Sequence, residues 1–120
     1  MLDGGQPEKP AILVLSLAGE ELEREVLAGI EEEGVPYVVD RPQDRPGAVE
    51  MATRAAERSS LSVGVGIDGD GRVCVQHDKL AHPLDDLISP AEADPSQARM
   101  LGHNAARIVV GIPLIGEISR

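Results

Sequence analysis

The sequence predicts an α/β protein, specifically a three-layer α/β/α domain whose mixed, mostly parallel sheet follows the element order β-α-β-α-β-β-α. Three observations lead to this prediction. Residues 11–17 form a short and almost uninterrupted apolar run, which is typical of a strand buried on both faces. Apolar residues then recur every four positions at Leu22, Val26 and Ile30, as in an amphipathic helix. Finally, Asp68-Gly69-Asp70-Gly71 separates two short apolar segments and is a strong hairpin signal.

Local signals set the bounds of the other elements. Gly34 ends the first helix, and Asp94-Pro95 is typical of an N-cap followed by the first helical position. Gly111 ends the last helix, and residues 112–115 are expected to form a short edge strand or a packed tail. The expected elements are strands at 11–17, 36–39, 62–67 and 72–76, helices at 19–33, 47–58 and 95–110, and irregular segments at 40–46 and 77–93.

Length and composition favour one small domain. The 120 residues suit a single α/β domain over residues 11–120, preceded by a flexible N-terminal arm over residues 1–10. The apolar fraction of 42% argues against global disorder. There is no Phe, no Trp and a single Tyr, Tyr37, so aliphatic side chains have to fill the core.

The charge excludes several classes of partner. A formal net charge of −10 repels nucleic acid and anionic membrane surfaces. The sequence contains no apolar run of about 18 residues, so no membrane span is expected. The N-terminus has no hydrophobic signal region, and the single cysteine, Cys74, fits a reducing compartment. We therefore expect a cytoplasmic protein.

Most of the residues that suggest chemistry have a simpler structural interpretation. The glycine-rich stretch 64–71 would need a helix directly after it to bind phosphate, and a strand is expected there instead. His77, Asp78 and His82 match no common zinc spacing and are interpreted as solvated loop residues. Cys74 is interpreted as an inert packing residue. His103 lies on the polar side of the last helix with no partner visible in the sequence, and we assign it no role.

Three carboxylates crowd the last turn of the first helix, at Glu31, Glu32 and Glu33. A helix C-terminus carries partial negative charge, so each acid there is unfavourable by about 0.3–1 kcal/mol. Glu32 points away from the apolar stripe and is expected to be exposed. Such carboxylates suit a hard cation such as Mg²⁺, whereas an ordinary solvated acidic face explains the same residues in an acidic protein. The pattern leaves both interpretations open.

Three segments resemble one protein family. They are LAGIEEEGVPY at Leu27–Tyr37, SSLSVGVGIDGDGRVCVQHDKL at Ser59–Leu80 and LGHNAARIVVGIPL at Leu101–Leu114. In order and approximate spacing they resemble the small subunits of the factors that reactivate adenosylcobalamin-dependent diol and glycerol dehydratases. The resemblance spans most of residues 11–115, and no segment is a catalytic motif. The turn Ser16-Leu17-Ala18-Gly19 departs from the family, whose members often have a histidine or proline there.

The resemblance implies a three-layer α/β domain with a chaperone-like role and no catalytic or cofactor-binding residue of its own. In this family the small subunit pairs with a large subunit that carries an actin-like ATPase domain. The small subunit leaves the large subunit and the dehydratase medium subunit takes its place, so that damaged cobalamin leaves the dehydratase. The link of the small subunit to cobalamin is therefore indirect. A glutamate of the E-E-x-G-V-P segment helps to hold a divalent metal, Mg²⁺, at the subunit interface. The matching residue here is Glu32.

Two alternatives to this function stay open. The chain resembles, in the same family, dehydratase medium subunits that touch cobalamin or the catalytic subunit, although these are usually longer at the N-terminus. A free-standing small enzyme is the other alternative, but the sequence contains no acid/base pair, catalytic triad or phosphate loop. Whether the chain is a reactivase subunit or a dehydratase medium subunit, its partner-binding surface is free when the chain is isolated. That surface can then pair with a second copy of the chain.

Overall fold

The structure is a computed structural model that describes residues 9–115. Most of the predicted arm, residues 1–8, therefore lies outside the described residues. No predicted bound of a strand or helix differs from the structure by more than one residue. None of the helices within 9–115 has the length and apolarity to cross a membrane. The elements are strands β1 (Ile12–Ser16), β2 (Tyr37–Asp40), β3 (Val63–Ile67) and β4 (Val73–His77), helices α1 (Glu20–Glu32), α2 (Ala48–Arg58) and α3 (Pro95–Val110), and a short 3-10 turn (Asp85–Leu87).

The four strands form one mixed sheet in the order β2-β1-β3-β4. β1 pairs in parallel with β2 and with β3, because helices cross over between these strands, whereas β3 and β4 form the predicted antiparallel hairpin. α1 and α3 cover one face of the sheet, and α2 covers the other. The α/β prediction with three layers and a mostly parallel sheet is confirmed.

Glycines in β3 let α2 lie close to the sheet. A Cβ atom added at Gly64 would overlap the backbone nitrogen of Ala56, and one at Gly66 would overlap the backbone oxygen of Ala48. Gly71 has a φ of 82° in the hairpin turn, a left-handed conformation that suits glycine. The glycine-rich stretch therefore serves packing and the hairpin, as predicted.

The core is aliphatic, as the composition predicts, and Cys74 belongs to it. Cys74 is fully buried in β4 and packs against alanines of α2. Burial raises the pKa of its thiol to about 12, so the thiol stays protonated at neutral pH. This supports the interpretation of Cys74 as an inert packing residue.

α1 and α3 lie side by side and run in the same direction. Gly29 and Gly102 face each other where the helices touch, and a Cβ atom on Gly102 would overlap the carbonyl oxygen of Val26. The two C-termini consequently lie at the same end of the molecule. Residue numbers rise together along the contact, in the pairs Glu25–Arg99, Gly29–His103 and Glu33–Arg107.

Residues 112–115 form a packed tail and pair with no strand. Asn104 is fully buried on α3 and binds this tail: its Oδ1 accepts from the N–H of Ile115 at 2.7 Å. Its Nδ2 donates to the carbonyl oxygens of Ile115 at 3.0 Å and Asp86 at 3.3 Å. The packed-tail prediction is confirmed, and the edge-strand alternative is wrong because the tail packs on α3 instead of the sheet.

Candidate partner and metal site

A row of alternating charges joins α1 to α3, and we call it the charged seam. The basic residues stand one helical turn apart on α3, so they share one face of that helix. The acidic residues come from the middle and the end of α1 and from its C-cap, Glu33. The charged seam consists of Glu25, Glu32 and Glu33 with Arg99, His103 and Arg107.

Each basic residue of the charged seam contacts a carboxylate at hydrogen-bond distance. Arg99 donates from Nε to Glu25 Oε1 at 3.0 Å and from Nη1 to Glu32 Oε2 at 2.7 Å. His103 Nε2 lies 2.9 Å from Glu32 Oε1, and its Nδ1 lies 2.8 Å from Glu33 Oε2. The carboxylates and the basic side chains therefore form one connected network across the two helices. Its last member, Arg107, donates from Nε to Glu33 Oε2 at 2.9 Å.

The charged seam explains why acids are tolerated at the end of α1. The last turn of α1 contains no basic residue of its own. No side chain of that turn therefore offsets the partial negative charge of the helix C-terminus. The parallel neighbour α3 supplies the missing positive charge. Hydrogen bonds from His103 and Arg107 hold the pKa of the Glu33 carboxyl below its usual range. His103, to which the sequence assigned no role, is thus a central member of the network.

Glu32 differs from the other two carboxylates of the charged seam in its exposure. Its side chain is 49% exposed, against 26% for Glu25 and 14% for Glu33. The expectation that Glu32 is exposed agrees with the structure. Both of its oxygens nevertheless contact basic side chains of α3, Arg99 and His103, so the carboxylate is held in place at the surface.

Glu32 fits one ligand of a shared metal site but not a complete site. Residues 9–115 contain no group of three His, Cys, Asp or Glu side chains that could hold a metal ion. His77 Nδ1 lies 3.4 Å from Asp78 Oδ1, but within residues 9–115 these two side chains are not part of such a group. A carboxylate that faces solvent has lone pairs left for a cation, and Mg²⁺ commonly takes only one or two protein carboxylates. Any further ligands would have to come from another chain or from water.

The crevice at the carboxyl ends of β1 and β3 is acidic. Ligands of open α/β sheets commonly bind in such a crevice, where the strand order reverses. Here it has a volume of about 430 Å³, and its charged lining residues are all acids. These acids disfavour phosphate groups in this crevice, although Arg45 lines the adjoining pocket at Gly69 and Asp70. The acids are Glu20, Glu21, Asp70 and Glu92.

The fold and the charged seam define a class of protein: a small three-layer α/β domain with a network of acidic and basic side chains across two neighbouring helices, α1 and α3. The chain belongs to the dehydratase medium subunit family, whose model matches residues 9–115.

Similar proteins in this family are named as subunits of reactivating factors. The diol dehydratase-reactivating factor small subunit of Klebsiella michiganensis is 41% identical over 113 residues, which cover 91% of this chain and 86% of that protein. The propanediol dehydratase-reactivating factor small subunit of Citrobacter freundii is 36% identical and is covered over 89% of its length. The resemblance found in the three sequence segments is confirmed.

Solved structures of reactivating factors have the same fold. A chain in the structure of a diol dehydratase-reactivating factor complexed with ADP and Mg²⁺ is 36% identical, with a TM-score of 0.79. The alignment covers 91% of this chain and all of that chain. A chain of a glycerol dehydratase reactivase is 27% identical, with a TM-score of 0.81 over 90% of this chain and 98% of that one.

Proposed function

We propose that this protein is the non-catalytic small subunit of a chaperone-like factor that reactivates adenosylcobalamin-dependent diol or glycerol dehydratase. In this proposal it pairs with an actin-like ATPase large subunit in the cytoplasm. It exchanges with the dehydratase medium subunit, so that the dehydratase releases damaged cobalamin. The observation that carries the proposal is near-full-length similarity to small subunits of reactivating factors.

Nucleotide hydrolysis is assigned to the partner. The crevice in which an α/β sheet would hold a nucleotide is lined by carboxylates in this chain, which argues against phosphate binding. The solved relative with ADP and Mg²⁺ is a whole reactivating factor, which fits nucleotide binding on another subunit. We expect the purified chain to show no ATPase activity of its own.

Glu32 is proposed to contribute one carboxylate ligand to a Mg²⁺ ion at the interface with the large subunit. Its exposure of 49% and its fixed position at the end of α1 support this role. A bound divalent cation would neutralise negative charge at the helix C-terminus and would join two chains through one ion. Other ligands are assigned to the large subunit.

The test is association with the large subunit in Mg²⁺ and in EDTA, first by affinity capture from native lysate and then with purified proteins. Glu32→Gln removes the ligand charge and is expected to weaken the Mg²⁺-dependent affinity by about tenfold or more. Glu31→Gln is the matched control, because Glu31 is an exposed neighbour outside the charged seam. Equal affinity of Glu32→Gln and wild type in both conditions would refute the metal role.

The family model itself favours a second candidate function, because it describes the dehydratase medium subunit. In that case the chain would bind the dehydratase catalytic subunit or cobalamin directly. Capture of an actin-like ATPase supports the reactivase proposal. Capture of a dehydratase catalytic subunit without the ATPase supports the medium-subunit function.

A further inference from the structure

The two side chains of α3 that hold Glu32, Arg99 and His103, each contact a second carboxylate. Arg99 contacts Glu25 through Nε and Glu32 through Nη1, which are different nitrogen atoms. His103 contacts Glu32 through one ring nitrogen and Glu33 through the other. If Glu32 leaves the network, Arg99 and His103 therefore each keep a carboxylate partner.

The other two carboxylates are more buried, and Glu33 is in addition the one carboxylate of the charged seam that Arg107 contacts. Glu33 is only 14% exposed, and His103 and Arg107 both contact its Oε2 atom. Glu25 is 26% exposed and contacts only Arg99 within the charged seam. Glu32 is thus the most exposed carboxylate of the charged seam, and its release leaves Arg99 and His103 each in contact with a second carboxylate.

We propose that Arg99 is an internal counter-ion of Glu32, which a divalent cation replaces. In the separate chain Arg99 holds the Glu32 carboxylate, and when the cation binds, Arg99 keeps only its contact with Glu25. Removal of Arg99 therefore increases the affinity for the cation. This inference rests on the proposed metal role of Glu32 and adds to it a side chain that sets the affinity.

The physical basis is competition between positive charges for one carboxylate. Nη1 of Arg99 lies 2.7 Å from Glu32 Oε2, so a cation bound to that oxygen would meet the guanidinium at short range. Like charges a few ångströms apart repel strongly even near a protein surface. Because the side chain of Arg99 is 39% exposed, solvent screens much of this effect. We expect a change in affinity of about threefold to tenfold.

The experiment uses Mn²⁺ as a paramagnetic probe with the full ¹⁵N-labelled chain, whose mass of 12.7 kDa suits solution NMR. Broadening of the amide signals of residues 31–33 that is lost in Glu32→Gln reports cation binding at Glu32. Arg99→Gln should lower the Mn²⁺ concentration needed for half-maximal broadening by about threefold to tenfold. Arg99→Lys keeps the positive charge and should remain close to wild type.

Two further variants complete the design. Glu25→Gln removes the second partner of Arg99, so Arg99 should hold Glu32 more firmly and the Mn²⁺ affinity should fall. The matched control is Arg54→Gln, because Arg54 also contacts two carboxylates, Asp44 and Glu50, and is 37% exposed. It lowers the positive charge equally but should leave residues 31–33 unchanged.

The outcomes separate this inference from the proposed function. Opposite shifts for Arg99→Gln and Glu25→Gln support the inference. If Arg99→Gln matches wild type or Arg54→Gln at residues 31–33, Arg99 is not a competing counter-ion. Absence of broadening there in every variant overturns the inference as well. Neither negative result touches the proposed function, which is decided by the Glu32→Gln association experiment with the large subunit.

Discussion

Asp94 is the residue that caps the N-terminus of α3. Its Oδ1 accepts from the backbone N–H of Gln97 at 2.8 Å and from the hydroxyl of Ser96 at 2.9 Å. Gln97 Oε1 accepts in return from the N–H of Asp94 at 3.0 Å, which completes a capping box. The hydrogen bonds from Gln97 and Ser96 hold the pKa of the Asp94 carboxyl below its usual range.

Asp94→Asn tests the charge of this cap, because asparagine is also a good N-cap residue. The folded-state pKa of Asp94 is lowered, so its stabilising effect is present above the unfolded pKa of about 3.9 and is lost as the pH falls through the folded value. At pH 7 the wild type should therefore have the higher melting temperature. The difference should close as the pH falls below about 4. Melting curves between pH 7 and pH 3 check this, and a difference that does not change with pH would contradict it.

At the scale of the secondary-structure elements, the close packing of α1 against α3 depends on two glycines, Gly29 and Gly102. Gly102→Ala should destabilise the protein by about 2 kcal/mol or more, because the new methyl group would overlap the carbonyl oxygen of Val26 and force the helices apart. Gly19→Ala is the control, since a Cβ atom there meets nothing within 4 Å. Urea unfolding measures both. A Gly102→Ala variant as stable as the control would mean that the helices are not this close.

The sequence predicted each helix and strand but not how the helices meet. Strand and helix bounds follow from local signals such as Gly34, the Asp94-Pro95 cap and Gly111, and these acted as expected. The contact of Glu32 with Arg99 joins residues 67 positions apart, which no local pattern determines. The available signal for this contact was the spacing of four residues between Arg99, His103 and Arg107, which places them on one face of α3. It shows a basic face, but the sequence does not show that this face meets the acidic end of α1.

The role of Glu32 illustrates the same limit for the candidate site. The sequence correctly predicted an exposed carboxylate at the end of α1. There it lies unfavourably close to the partial negative charge of the helix C-terminus. The sequence offered a cation or solvent as the explanation. In the structure Glu32 and Glu33 contact basic side chains of α3, so these two acids are accounted for without a metal. A metal at Glu32 stays a prediction, and its further ligands would come from another chain or from water.

At the scale of the whole molecule, the two edges of the sheet differ. The edge at β4 is covered, because Ser89 accepts from the N–H of Val73 through its hydroxyl at 2.9 Å and donates its own N–H to the carbonyl oxygen of Val73 at 2.9 Å. At the other edge, β2 carries Val38, whose side chain is 53% exposed. Uncovered edges present unpaired backbone groups to other chains. Among residues 9–115 no strand pairs with the outer side of β2, so we expect self-association to begin at this edge.

Amide hydrogen exchange tests whether the β2 edge is open in solution. The N–H of Ile12 donates to the carbonyl of Pro36, so the alternation of a parallel ladder turns the Val38 amide towards β1. The amides of Tyr37 and Val39 face outwards and have no partner among residues 9–115. They should exchange about tenfold or more faster than the amide of Val38. Protection of Tyr37 and Val39 that rises with protein concentration would instead show that copies of the chain pair through this edge. Equal protection of all three amides at every concentration would contradict an open edge.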